Sequence, residues 1–110
     1  MIDWNRVAGF DWDAGNARKS ADKHGVSQSE AEQLFFSEPL LVVEDRGHGG
    51  LESRWHALGH TFSQRLLHVT FTLRREVTRI RVISARPMHR KEREHYVKAQ
   101  QAPTRIQDGI

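Results

Sequence analysis

The chain has 110 residues, about enough for one domain around one hydrophobic core, and its 37% apolar and 28% charged residues make an ordinary polar globular composition. It has no cysteine, which excludes disulfides, thiolate metal sites and cysteine nucleophiles, and no apolar run near the roughly 20 residues that cross a bilayer. The net charge of +3 hides an asymmetry: residues 1–55 hold 6 Lys/Arg against 10 Asp/Glu (−4), residues 56–110 hold 11 against 4 (+7), and 13 of the 17 cations are arginine. Arginine's planar fork binds two phosphate oxygens at once, so the second half is expected to carry a cationic working surface. The segment Met1-Ile2-Asp3-Trp4-Asn5-Arg6 lacks the basic-then-apolar order of a secretory signal, and the cytoplasm is the default expectation.

Gly9 to Asp13 reads as a short strand with Phe10 and Trp12 on one side. Asp13 is a helix N-cap, Ala14, Ala17, Ala21 and His24 follow at helical spacing, and Gly25 stops the helix with Lys23 and His24 in its last turn. Ser27-Gln28-Ser29-Glu30 is a capping box that opens a second helix, with Ala31, Leu34 and Phe35 as its apolar stripe and Pro39 closing it. Leu40 to Glu44 is an apolar strand run, and residues 46–50 form a loop. Glu52 to Thr61 is expected as a strand with Glu52, Arg54, His56 and Leu58 on one face. Leu66 to Leu73 alternates: Leu67, Val69, Phe71 and Leu73 point one way, His68, Thr70 and Thr72 the other. Arg74-Arg75-Glu76 is the turn, without the usual Gly or Asn, and Val77 to Ala85 is the next strand. Strict alternation there puts Arg79, Arg81 and Ile83 on one face, and Ile80, Val82, Ser84 and Arg86 on the other. Pro87 breaks the strand, Met88 to Gln100 is a charged helix, and residues 102–110 are expected to be a flexible tail after a single domain of residues 1–101. Helices segregated from a run of hairpins mean an α+β fold: an N-terminal strand and two helices packed on an antiparallel meander of about four strands, then a C-terminal helix. The helices are expected to cover one sheet face and leave the other to a ligand.

Seven histidines raise the question of a metal. On a strand, His56 and His60 lie roughly 13 Å apart, too far to share an ion. His89 and His95 point to different sides of a helix, and no acidic partner completes a zinc-type set, so no metal and no cofactor are expected. No phosphate-cradling glycine loop and no nucleophile elbow is present. The remaining cations, carboxylates, histidines and one tyrosine suit metal-free RNA cleavage, in which a 2′-hydroxyl attacks the adjacent phosphorus. A base takes its proton, an acid protonates the departing 5′-oxygen, and cations hold the added negative charge. His89, Glu92, Arg93 and Tyr96 would line one stripe of the last helix and could supply acid and base, or serve as a hydrated face or a docking surface.

Several motifs together carry a resemblance. They are Phe10-Asp11-Trp12-Asp13, Lys23-His24-Gly25-Val26, Glu30-Ala31, Phe35-Phe36, Glu52-Ser53-Arg54, Gly59, Thr72-Leu73-Arg74, Arg81-Val82-Ile83-Ser84-Ala85-Arg86, and Glu92-Arg93 with Tyr96. In this order, over roughly residues 10–97, the chain resembles the BrnT toxins, RelE-like toxins of bacterial type II toxin–antitoxin modules. The resemblance implies a RelE-like fold, a ribonuclease that arrests translation and growth, and a BrnA-like ribbon-helix-helix antitoxin. It also implies that operator DNA is bound only through the toxin–antitoxin complex. Arg54, Arg74, Arg81, Arg86, Glu92 and Tyr96 match the family pattern, as do Lys23 and His24. The chain departs from it at Asn16 and Ser20, where the family usually has lysine and asparagine, and in a longer turn after Arg74.

From residue chemistry and resemblance together, the catalytic candidates are Arg54, Arg81 and Arg86 as phosphate cations, Glu52 or Glu92 as base, and His56, His89 or Tyr96 as acid. Lys23, His56, Arg74, Arg79 and Arg93 are the RNA-binding candidates. The alternative is a catalytically silent toxin-like module that serves as antitoxin partner and co-repressor. Direct binding of duplex DNA fits less well, because no helix-turn-helix with a basic recognition helix is present.

Overall fold

The computed structural model describes residues 2–45 and 53–101. The expected loop at 46–50, Glu52 and the expected tail at 102–110 lie outside the described residues. After a 3₁₀ turn at Trp4–Arg6 come β1 (Gly9–Phe10), α1 (Ala14–Ala17), α2 (Lys19–His24), α3 (Gln28–Leu34), β2 (Leu41–Asp45), β3 (Arg54–His60), β4 (Leu66–Arg74), β5 (Arg79–Pro87) and α4 (Arg90–Gln101). No helix among the described residues is long and apolar enough to cross a membrane.

The helix boundaries follow local chemistry. Asp13 accepts from the backbone N–H groups of Gly15 and Asn16, and the Asn16 side chain accepts from the Asp13 N–H. Ser27 and Glu30 form the same reciprocal pair at α3. Gly25 ends α2 at φ +66°, a conformation glycine adopts without a Cβ penalty. The single helix expected between Ala14 and His24 is instead two, interrupted at Arg18.

The sheet runs β1-β5-β4-β3-β2, and the expected four-strand meander is its antiparallel part. β1 is shorter than the expected 9–13 strand and adds in parallel to β5, pairing Gly9 with Arg79 and Phe10 with Ile80. One face is the core: Ala57, Leu67, Val69, Phe71, Ile80, Val82 and Ala85 cluster with Val26, Ala31 and Leu34 from the helices. Phe35 meets Phe71 edge-on at 5.0 Å between ring centroids, and Trp55 stacks on Phe71 at 5.9 Å. Gly59 allows α3 to press onto β3, because a Cβ there would collide with Ser37 Oγ and lie 2.8 Å from Leu34 Cγ.

Two features of β5 decide what the other face carries. The first is a bulge. Thr72 opposes Arg81 and Phe71 opposes Val82, but Thr70 opposes Ser84, so Ile83 is the extra residue. Alternation restarts after it. Ser84 and Arg86 therefore join Arg79 and Arg81 on the open face, whereas the sequence alternation set them with Ile80 and Val82. The second is the outer edge, which β1 covers for two residues only. Beyond it, Asn16 Nδ2 donates to the carbonyls of Asp11 and Val82, and the Ala85 N–H donates to Ser20 Oγ. The two departures from the family pattern thus complete a strand edge, and both are buried. Asn16→Ala removes these bonds and half of the α1 capping box. It is expected to cost about 1–3 kcal/mol of unfolding free energy in urea titrations, with α1 and the β5 edge the first region to lose amide protection.

The β4–β5 turn holds Arg75, Glu76 and Val77 at φ +55°, +56° and +63°. Val77 is therefore in the turn and not in the strand that the sequence pattern assigned to it. Three successive left-handed residues without glycine cost about 1 kcal/mol or more each. They are held by Thr78 N–H bonds to the carbonyls of Arg74 and Arg75, and by Arg6 donating to the Glu76 carbonyl.

Candidate functional site

Strand register sorts the open face into rows. Arg74 opposes Arg79, and Thr72 opposes Arg81. Val43, His56, Thr70 and Ser84 form the next row, then Leu41, Leu58, His68 and Arg86, and finally His60 and Leu66. Arg54 opposes Asp45 on the same face. Directly opposed side chains on one face have Cβ atoms about 5 Å apart, so Arg54, Arg74, Arg79, Arg81 and Arg86 share one surface.

α4 does not join the other helices. It crosses the open face at the end where His60 and His68 sit, which corrects the expectation that the helices cover one face only. Its anchor is Tyr96, fully buried, whose hydroxyl donates to the Pro39 carbonyl and lies 2.8 Å from His60 Nδ1. Burial pushes the Tyr96 phenol above its ordinary pKa. The expected His89–Glu92–Arg93–Tyr96 stripe therefore divides. Tyr96 is in the interior, Glu92 is half-buried against the sheet, and His89 and Arg93 are exposed, with Arg93 donating to the Met88 carbonyl at 2.7 Å.

Glu92 is the centre of the polar cluster. Both oxygens take a guanidinium nitrogen of Arg86, at 2.9 and 3.0 Å, and Oε1 also accepts from the His89 N–H at 2.8 Å. Burial alone would raise this carboxyl, but the Arg86 hydrogen bonds and the His89 amide outweigh it and hold the group at about 2. Glu92 is thus a carboxylate held by three donors in the free protein, not a base waiting for a proton.

Beside it a second chain of contacts crosses the sheet. Asp45 Oδ2 is 2.9 Å from His56 Nε2, so in neutral His56 that nitrogen carries the hydrogen and Nδ1 accepts. His56 Nδ1 is 3.0 Å from His68 Nε2 and 3.0 Å from the Thr70 hydroxyl. With that tautomer His68 Nε2 donates to His56, and His68 Nδ1, 3.4 Å from Glu92 Oε2, is a buried nitrogen with no hydrogen-bond partner among the described residues. Burial, and next the Arg86 charge, push His68 down to about 4. Leu41, Val43, His56, Leu58, His68, Glu92 and His95 line a groove of about 360 Å³ over these residues. Among the described residues, no three histidines and carboxylates converge as ligands for a metal ion.

At the other end of the face, Arg81 reaches Asp13 at 3.0 Å and Asp11 at 3.6 Å. Lys23 lies elsewhere: it is exposed in the last turn of α2, in the helical layer, where a cation meets the negative end of the helix. Of the residues singled out from sequence, Arg54, His56, Arg74, Arg79, Arg81, Arg86 and Glu92 are brought together, His89 stands at their edge with its backbone N–H on Glu92, and Lys23, Arg93 and Tyr96 are not brought in. Glu52 lies outside the described residues. Sequence reasoning missed His68, Asp45 and His95. The alternation of β4 carried the signal for His68, since it is the one titratable residue among the outward positions of Leu66 to Leu73.

The family model for the ribonuclease toxin BrnT of type II toxin–antitoxin systems matches residues 12–92. That span runs from Trp12 to Glu92 and contains every arginine of the open face. Comparison with curated proteins finds no match.

Proposed function

Because this chain belongs to the BrnT family of ribonuclease toxins of type II toxin–antitoxin systems, we propose that it cleaves RNA without a metal on the open face of its sheet. The observation that supports this is the convergence of five arginines with a carboxylate–histidine cluster on one surface. Arg86, Arg81 and Arg54 hold the scissile phosphate and its neighbours, and Arg74 and Arg79 extend the track along the strand. The 2′-oxygen–phosphorus bond forms as the phosphorus–5′-oxygen bond breaks. The 2′-hydroxyl proton goes to the carboxylate side of the cluster, and the exposed His89 imidazole protonates the 5′-oxygen, since the His56 N–H is held by Asp45. Arginine supplies the charge stabilisation that a metal ion gives other nucleases. Tyr96 is left out of the chemistry because its hydroxyl is buried and engaged, and Lys23 keeps its helix-end role.

The fold is read as RelE-like, and the neutralising partner as a BrnA-like ribbon-helix-helix antitoxin. Operator DNA is bound through that complex, in the cytoplasm. Free protein, separated from its antitoxin, is expected to cut a labelled transcript in excess EDTA. RNA left intact by folded protein, with and without translating ribosomes, would overturn the reading in favour of a silent binding module.

A further inference from the structure

Glu92 and His68 present a contradiction to any base in this site. The carboxylate is held by Arg86 and the His89 amide, and Nδ1 of the buried imidazole lies 3.4 Å from it with no hydrogen-bond partner among the described residues. When His68 Nδ1 carries no hydrogen, it and Glu92 Oε2 are two acceptors 3.4 Å apart that repel until a proton comes between them. We infer that Glu92 and His68 form a single proton-accepting unit that Arg86 keeps locked until an RNA phosphate takes its guanidinium.

The inference rests on the ribonuclease reading and follows from the geometry of exchange. The Arg86 fork binds a carboxylate and a phosphate in the same two-pronged way, so the scissile phosphate competes for it directly. When the phosphate takes it, Glu92 loses two hydrogen bonds, and both groups become better proton acceptors. The 2′-hydroxyl proton then passes to the Glu92 carboxylate, with His68 Nδ1 behind it to share the proton. The 2′-oxygen bonds to phosphorus, and the 5′-oxygen leaves with a proton from an imidazole N–H or water. Glu92 is the group that meets the substrate, and His68 is a positioning residue acting through it.

His68 is braced from every side. With His56 neutral, Asp45 on β2 and His56 on β3 make its Nε2 a donor, Thr70 shares the His56 acceptor, Arg86 faces it from β5, Glu92 and His95 face it from α4, and His89 from the residue before α4. Such bracing holds the ring with Nδ1 on the Glu92 side. The lock also explains how one site can be inert in the absence of substrate and basic in its presence.

The test is the titration of His68 by nitrogen NMR, in the free protein and with a 2′-deoxy oligonucleotide that binds but cannot be cut. Single-turnover cleavage by wild type and His68→Gln from about pH 4 to about pH 9 accompanies it. The glutamine amide keeps a donor toward His56 and removes Nδ1. The His68 midpoint is expected to start near 4 and rise by about one unit or more on binding. His68→Gln is expected to lower the single-turnover rate constant by roughly 10²-fold, with the half-saturating concentration within about threefold, and to shift the acid limb of the rate profile. If the oligonucleotide binds and wild type cleaves, but the His68 midpoint does not move or His68→Gln keeps rate and profile, the inference is overturned and the ribonuclease reading stands. If wild type cleaves nothing, with and without translating ribosomes, both fall; if it cleaves but the 2′-deoxy oligonucleotide does not bind, the His68→Gln profile decides, and an unchanged rate and profile overturn the inference.

Discussion

Arg86→Ala is expected to lower RNA cleavage by roughly 10²–10³-fold, with the loss in kcat. Among the described residues the guanidinium is the one open-face cation that grips the cluster carboxylate with two nitrogens, at 2.9 and 3.0 Å. It is also the group placed to hold negative charge as phosphorus gains its fifth oxygen. Losing it removes the charge stabilisation and frees Glu92 at the same time, so the Glu92 carboxyl should titrate higher in the variant. Arg86→Lys keeps the charge but not the fork, and is expected to recover little. A melting curve beside the cleavage assay separates this from unfolding. Cleavage within about threefold of wild type, from a folded Arg86→Ala protein, would remove Arg86 from the reaction.

Acid lability is the second large effect. His68 sits at about 4 in the folded protein, against an ordinary 6.5. Between those values the unfolded chain binds a proton that the folded one does not, so stability rises with pH there and falls as the solution is acidified. The full difference amounts to about 3 kcal/mol, a large share of a small domain's stability. Glu92 acts in the same direction in a lower window: its stabilisation is present above 4.5 and is lost as pH falls toward 2. Urea midpoints are expected to drop steeply between pH 6.5 and 4, and His68→Gln should flatten that part of the curve. A midpoint independent of pH across this window would show that His68 takes up its proton in the folded state as easily as in the unfolded one.

Much of the fold was legible because local chemistry is decisive where it occurs. Asp13, Ser27 and Gly25 mark helix ends by hydrogen bonds and backbone freedom that need no tertiary context. The alternation of Leu66 to Leu73 fixed the faces of β4 correctly, and with them the outward direction of His68. The site was less legible, and Ile83 is the reason. A bulge has no sequence signature in an apolar run, yet it moves Arg86 across the sheet to where Arg79 and Arg81 are. The side taken by α4 was hidden for a different reason. A helix of such high charge gives little periodic signal, and its position is set by Tyr96 reaching Pro39 and His60, partners far away in the chain. Asn16 and Ser20 read as departures because edge satisfaction is a tertiary demand, visible only once β1 proves too short to cover β5.

RNA is expected to lie on the open sheet face beside α4. Amide and arginine side-chain chemical shifts, recorded while a 2′-deoxy oligonucleotide is added to the free protein, test it most directly. Shifts should concentrate at Arg54, His56, Arg74, Arg81, Arg86 and Glu92, with Arg86 and Glu92 moving together as their ion pair opens. Shifts confined to the helical layer, around Lys23 and the end of α2, would contradict it.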